Sequence, residues 1–325
     1  MTEGSAPVDA GGNGAPPHFG PGSNAPVLLR RLELTVRRRL DGLLQGDHLG
    51  LVPGSGSEAG DSRTYHPGDD VRRMDWNVTA RTGLAHVRNP IADRELETWV
   101  LADLSASLDF GTARCEKRDL AVAAVVAVGH LTARAGNRIG AVVAAGGATS
   151  RIPARPGRDH LSTMLHRIAS TPRADGGGPT DLAGAVRILD RLARRRGLVV
   201  VISDFVGAPG WERPLQALAA RQDVIAIEVV DPRELALPDV GVLALVDPET
   251  GRHLEVQTSD RRLRERFAAA AATQRADVAT ALRAAGADHL VLRTDRDWLL
   301  DLVRFVDQRR RRRAAVPARR RALAR

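Results

Sequence analysis

The sequence is poor in features that mark whole classes of function. It has one cysteine, Cys115, among 325 residues. One thiol excludes an internal disulfide and a cysteine-rich zinc site, and it fits a reducing, cytoplasmic compartment. It has one lysine, Lys117, in "CEKRDL". A P-loop needs G-x-x-x-x-G-K-[ST], and Lys117 has neither a glycine-rich loop before it nor Ser or Thr after it. Nucleotide hydrolysis by that route is excluded. Aromatics make up only 3% of the chain, so the core must rest on Val, Leu, Ile and Ala.

Long apolar runs are also missing. A membrane span needs about 18 apolar residues. The nearest run, Leu120–Ala133, is shorter and is interrupted by His130. The first 25 residues are rich in Gly, Pro, Ser and Ala, with no basic start and no apolar h-region. They read as a disordered segment rather than a signal peptide. Net charge is +9, from 48 basic and 39 acidic residues. The tail 309–325 holds nine Arg and no acid; without it the chain has 39 basic and 39 acidic residues. The basicity therefore belongs to the tail. Such a tail binds nucleic acid or an anionic surface, or serves only as a solubilising end. No aromatic interleaves its arginines as a stacking platform would require.

What is present is alternation. Leu at helical spacing predicts an amphipathic helix over 27–44. A polar, glycine-rich stretch follows, then short extended pieces around "LAHVRNP" and "ELETWVLADLS". From there strands alternate with helices. The helices fall at 115–135, at "RDHLSTMLHRIAST", at "DLAGAVRILDRLARRR", at "WERPLQALAARQ", at 260–285 and at the end. The strands are "NRIGAVVAAGG", "GLVVVISDF", "DVIAIEVVD" and "ADHLVLRTD". "ATSRIPAR" suits an antiparallel edge, and "VGVLALVDPETGRHLEVQT" a hairpin. This predicts an α/β fold, a doubly wound, mostly parallel sheet with helices on both faces. The expected divisions are 1–25 as a disordered arm, 26–95 as a helix and irregular clasp, 96–308 as the α/β domain, and 309–325 as the tail.

Two strand ends are polar. In "VLADLSASLDFG", Asp103, Ser105 and Ser107 stand at i, i+2 and i+4 where the apolar run stops. Alternate strand residues share a face. Three oxygens in step can therefore converge on a hard cation, which requires several oxygens at once. "GGGPTDLAGA" adds Thr180, and "VISDF" adds Asp204. Plainer readings stand beside this one: a strand-end turn for Asp103 and Ser105, a helix N-cap for Thr180 or Asp181, and a loop acid for Asp204.

The ordered set resembles the von Willebrand factor A fold and its metal-ion-dependent adhesion site. The pattern there is D-x-S-x-S, a loop Thr after glycines, then an Asp closing an apolar strand. The resemblance covers about 96–308. It implies Mg²⁺ (or Mn²⁺ or Ca²⁺) held directly by Ser105, Ser107 and Thr180, and mostly through water by Asp103 and Asp204. A carboxylate from a partner protein would complete the shell.

The preceding stretch, "RTYHPGDDVRRMDWNVTART", resembles the signature of the bacterial domain of unknown function 58 family. The matching residues are Arg63, Tyr65, Pro67, Gly68, Asp69, Asp70, Arg72, Asp75, Trp76, Ala80 and Arg81. Two positions depart from the family pattern: Leu108 replaces the usual Met, and the acidic cluster is thinned to "IADRELE". Pro67-Gly68 suits a type II turn, and Asp69 or Asp70 the cap of a short helix. Tyr65 and Trp76 are expected to pack together, and Arg63, Arg72, Arg81, Asp69 and Asp75 to form a buried ion network. The segment is then either a clasp on the sheet or a partner surface. The family resemblance implies association with a MoxR-type AAA+ ATPase that matures other proteins, with this chain as a non-catalytic adaptor for an unknown client.

A metal-dependent hydrolase is the competing class. An aspartyl-phosphate enzyme needs a second Asp two residues after the nucleophile, and position 105 is Ser. "PGSGSEAG" is neither a G-x-S-x-G elbow nor a dinucleotide fingerprint. The nine histidines are scattered, and no set of catalytic roles assembles.

Overall fold

The computed structural model describes residues 15–20, 23–43, 62–66, 69–88, 96–132, 137–173, 180–207, 209–246 and 253–323. The arm 1–14, the Pro67-Gly68 turn, residues 91–95 of the thinned acidic stretch and the "PETG" turn lie outside them.

A six-stranded sheet forms the centre. Its strands are β3 (Glu97–Asp103), β4 (Arg138–Ala145), β5 (Ala148–Pro156), β6 (Leu198–Ser203), β7 (Asp223–Val230) and β10 (Asp288–Arg293). Their order is β10-β7-β6-β3-β4-β5, parallel throughout except for β5, which runs antiparallel to β4. This is the mostly parallel architecture that the alternation predicts. β3, β4, β6 and β7 are nearly continuous buried runs because both their faces are covered, while the edge strand β5 is mostly exposed. Along β3, Val100 and Ala102 enter one core, while Trp99 and Leu101 enter the other. β6 divides likewise, with Val200 and Ile202 on one face and Val199 and Val201 on the other.

The first face carries α3 (Lys117–Thr132), α4 (Arg158–Ala169) and α8 (Trp298–Leu323). The second carries α5 (Leu182–Leu192), α6 (Glu212–Ala219) and α7 (Arg261–Ala284). α3 is buried on every side, and an all-round apolar helix suits such a place. Its outer cover is α1 (Ala25–Leu43), whose Leu29, Leu32, Val36 and Leu40 recur every three to four residues and are buried. α1 packs on α3, α4 and α8. Residues 15–20 are drawn in beside it. Asp119, near the start of α3, accepts the Phe19 N–H at 2.7 Å and pairs with His18 Nδ1 at 3.0 Å, while Phe19 joins the core.

Outside the sheet lie two small antiparallel pairs. β1 (Ser62–Thr64) pairs with β2 (His86–Arg88), with a 3₁₀ turn (Val71–Arg73) and α2 (Trp76–Thr82) between them. β8 (Val242–Val246) pairs with β9 (His253–Gln257) as the expected hairpin. α8 runs on without a break past Arg309, read above as the first tail residue. Arg309 is buried, donating from Nε to Asp288 at 2.7 Å and from Nη2 to Asp223 at 2.6 Å. No helix among the described residues is long and apolar enough to cross a membrane.

Candidate metal centre

The chain leaves β3 for β4 and β5 on one side, then returns to lay β6 on the other side of β3. β3 and β6 thus flank the topological switch point, where open α/β sheets bind ligands at the carboxyl ends of their strands. Asp103 ends β3, and Asp204 directly follows β6.

Asp103 is 3% exposed. Its Oδ1 accepts the Ser105 N–H at 3.0 Å, and its Oδ2 accepts the Ser203 hydroxyl at 2.7 Å. The first bond is the strand-end turn of the plainer reading. The Ser105 and Ser107 hydroxyl oxygens lie 3.0 Å apart. Ser105 precedes a 3₁₀ turn (Ala106–Leu108), yet its side chain makes no capping bond there. Its hydroxyl thus lies beside that of Ser107, two oxygens on one side of the loop. Arg118 holds the loop from behind, donating to the Leu104 carbonyl at 3.0 Å and to the Asp109 carboxylate. Gly111 lets the chain fold back, because a Cβ there would strike the Cys115 carbonyl and Glu116 Cα.

Asp204 is fully buried. Its Oδ1 accepts the Val206 N–H at 3.0 Å, and its Oδ2 accepts from Lys117 Nζ at 2.8 Å. The next residue, Phe205, is the one non-glycine with positive φ (54°) among the described residues. Strained backbone of this kind costs about 1–3 kcal/mol and persists only where surroundings over-determine it. Here the Ser203 hydroxyl accepts the Phe205 N–H at 3.0 Å, and the Phe205 ring sits 5.1 Å from that of Trp211. Ser203 thus bonds both Asp103 and the strained peptide that presents Asp204.

Thr180 stands just before α5, whose N-cap is Asp181, accepting the Gly184 N–H. Of the plainer readings for this pair, the cap belongs to Asp181. α5 leads through a short connection into the start of β6. Its N-terminus therefore lies towards the carboxyl end of the sheet, the end that carries Asp103 and Asp204. The Thr180 hydroxyl is buried and finds no hydrogen-bond partner among the described residues. No hydrogen bond joins Thr180 to the other four residues there, so topology is what places it at the same end.

The electrostatics are unfavourable to this arrangement alone. The Asp103 carboxyl is pushed up to about 6, by burial first and by the charge of Asp204 second. Two buried carboxylates, a hydroxyl pair and an orphaned hydroxyl are all oxygen donors, the kind that suits Mg²⁺, Mn²⁺ or Ca²⁺. Both carboxylates already have each oxygen bonded, whereas the hydroxyls are less engaged. That division fits direct ligation by Ser105, Ser107 and Thr180, with the acids one step back. Thr180→Val, which keeps the shape and removes the hydroxyl, is expected to weaken Mg²⁺ binding roughly tenfold. Stability without the ion should be unchanged or higher, since an unmade buried hydrogen bond costs about 1–3 kcal/mol. Titration calorimetry with melting curves checks both.

Three residues of this neighbourhood have no sequence motif: Lys117, Ser203 and Asp231. Asp231 is fully buried beyond β7. It accepts from the Thr112 N–H and hydroxyl, the Arg233 N–H and the Thr294 hydroxyl, at 2.6–2.9 Å. It thereby ties the loop after Ser107 to the ends of β7 and β10. The available signals were an acid at a strand end and the singularity of Lys117.

The signature segment departs from expectation. Trp76 is 68% exposed, so it does not pack into a core with the half-buried Tyr65. Arg72 and Arg81 are exposed, so no buried network unites them with the acids. The acids cap backbone: Asp69 accepts from His66 N–H, Asp70 from Arg72 N–H and Asp75 from Val78 N–H. Each short turn consumes an acid to satisfy its own free N–H groups. The Arg63 side chain is outside what the structure describes. Val71 and Leu84, 61% and 59% exposed, add apolar surface in the same segment.

Comparison with known proteins agrees with the signature. The model for "Protein of unknown function DUF58" matches residues 61–277. The uncharacterized protein Rv1480 of Mycobacterium tuberculosis is 61% identical over 283 residues, covering 87% of this chain and 89% of its own. The uncharacterized protein MAV169 of Mycobacterium avium is 56% identical over 162 residues, covering 50% of this chain and 95% of its own. Among solved structures, BatB from Bacteroides thetaiotaomicron matches with a TM-score of 0.42 at 13% identity, over 66% of this chain and 98% of that one. The SpRpn10 VWA domain matches with a TM-score of 0.36 at 14% identity, over 64% of this chain and 93% of that one. With two thirds of its length matched by the family model and a relative 61% identical over 87% of it, this chain belongs to the DUF58 family.

Proposed function

We propose that this protein is a non-catalytic, divalent-cation-dependent protein-interaction module, acting as an adaptor for a MoxR-type AAA+ ATPase in the maturation of a client protein. The observation that carries the cation reading is the Thr180 hydroxyl, buried and without a partner among the described residues, entering the same end of the sheet as two bonded carboxylates and a serine pair. Asp103 orients Ser105 through its peptide N–H. Asp204 is held rigid by Val206 and Lys117. Mg²⁺ held by Ser105, Ser107 and Thr180 would offer an electron-poor coordination position to a partner carboxylate. The energy source would be the partner ATPase. The compartment would be the cytoplasm.

The nucleic-acid or anionic-surface alternative through the tail is weakened by Arg309 and Arg313, which pair with Asp223.

The test is affinity capture from native extract with Mg²⁺, with EDTA, and with Asp103→Ala. An ATPase held only in the first condition supports the reading; one held equally in all three rejects the cation as the docking element. The signature segment supplies a second contact in this proposal, through Arg63, Tyr65, Asp69, Asp70, Arg72, Asp75, Trp76 and Arg81. Exposed Trp flanked by Arg is the composition of interface hot spots. Trp76→Ala should shift folding stability by no more than about 0.5 kcal/mol, as for a surface position, while reducing capture of the same partner. Normal capture by a stably folded variant would make the segment a clasp.

A further inference from the structure

The only lysine in the chain is 1% exposed, and two carboxylates meet it. Lys117 Nζ donates to Asp204 Oδ2 at 2.8 Å and to Glu234 Oε1 at 2.5 Å. Its partners are far away in sequence and come from different strand ends. Asp204 follows β6, and Glu234 belongs to the turn after β7, where its other oxygen accepts the Asp231 N–H at 3.0 Å. A buried ammonium is costly unless paired. Retaining one here, in a chain that otherwise uses Arg for every basic side chain besides His, needs a reason.

Charge supplies one. Asp103 and Asp204 are buried side by side, and their mutual repulsion favours anything positive between or beside them. An ammonium is a compact point charge with three donors. It can sit behind one carboxylate oxygen, where a planar guanidinium would need more room. At Asp204 it engages Oδ2, while the Val206 N–H engages Oδ1. Both oxygens are thereby committed and the carboxylate plane is fixed.

We propose that Lys117 is the resident counter-cation of this site, holding Asp204 back from direct ligation and keeping affinity for the divalent ion low. The inference rests on the cation reading above and deepens it. With Lys117 in place the carboxylate pair stays partly neutralised when no divalent ion is bound, so folding does not depend on the ion. The same positive charge lowers the attraction of the site for a second cation. It also reserves charge donation to the ion for an incoming partner carboxylate, which makes the site a reversible dock rather than a permanent metal centre.

The test is a Mn²⁺ titration of the full chain, followed by electron paramagnetic resonance, comparing wild type with Lys117→Met. The variant is expected to bind Mn²⁺ about tenfold more tightly, the scale of removing one nearby unit charge. Its melting temperature in EDTA should fall, and Mn²⁺ should raise it more than in wild type. General structural damage would weaken binding, so tightening separates the proposed role from a packing role. Wild-type binding with equal or weaker binding by Lys117→Met overturns the role of Lys117 and leaves the cation reading standing. Absence of binding in both proteins overturns both. If Lys117→Met does not fold, the wild type carries the test through its one lysine. With ¹⁵Nζ-labelled lysine the ammonium gives a single signal. Its broadening in step with Mn²⁺ occupancy supports the placement, and a sharp signal at saturation overturns it.

Discussion

Asp103→Asn is expected to cost about 10–100-fold in Mg²⁺ affinity, the range for a residue that orients direct ligands. The fold should survive. The amide oxygen can keep the Ser105 N–H bond, and Ser203 can turn its hydroxyl to accept from the amide nitrogen. The substitution also removes one of two adjacent buried charges. Without cation at pH 7 the variant should therefore be at least as stable as wild type, while Asp103→Ala, which orphans both donors, should be less so. The pH dependence separates the two contributions. The Asp103 carboxyl titrates at about 6 in the folded protein and near 3.9 when unfolded. The folded state therefore takes up its proton first. The stabilisation from protonated Asp103 is fully present below the unfolded value and is lost as pH rises through about 6. The cation-free wild type should gain stability between pH 7 and pH 4 from this residue, and Asp103→Asn should lack that gain. Calorimetric titration with melting curves across the range decides the matter. Wild-type affinity in the variant would remove Asp103 from the site.

Asp231→Ala is expected to be the most destabilising single change among the residues discussed, by about 3–5 kcal/mol, since several buried donors would be orphaned at about 1–3 kcal/mol each. The side chain is fully buried and receives four hydrogen bonds from three segments. Burial pushes its carboxyl up, but the bonds from Thr112, Arg233 and Thr294 outweigh this and hold it below the usual range. Its pH dependence is opposite to that of Asp103. The contribution is present above the unfolded carboxylate value and is lost as pH falls through the depressed folded value. Urea unfolding at neutral pH, repeated near pH 3, measures both effects. A loss below about 1 kcal/mol at neutral pH would show that Asp231 is not the tie between these loops. The cation site would feel the change as well, because Thr112 follows the D-x-S-x-S loop, and Glu234, which bonds the Asp231 N–H, also bonds Lys117.

The signature segment shows where local reading goes astray. Tyr65 and Trp76 are scarce aromatics placed close together, and packing against each other is the economical expectation. Yet α2 is a seven-residue helix with no buried residue in it, joined to a two-stranded pair. Among the described residues too little surface lies there to cover an indole. The arginines of the segment were equally misleading as members of a buried network, since Arg72 and Arg81 are exposed, while the acids cap nearby backbone N–H groups.

The pattern of strands and helices, the two-faced burial along β3 and β6, the amphipathic α1 and the D-x-S-x-S turn were all present in the order of the residues. Each follows from short-range rules: strand period, helix period, and the reach of a side chain to the N–H two residues on. Parallel pairing then required the crossovers that cover both faces. Lys117, Ser203 and Asp231 obey no such rule. "CEKRDL" reads locally as an exposed helix start, and only the crossing of α3 beneath β6 and β7 brings its ammonium to acids 87 and 117 residues further along the chain. Ser203 meets Asp103 because β6 lies beside β3, across 100 residues. Local sterics determine the elements and their periods. Which buried charges meet is decided by the strand order, because an ion pair carries no periodicity and its partners are chosen by where the sheet sets them down.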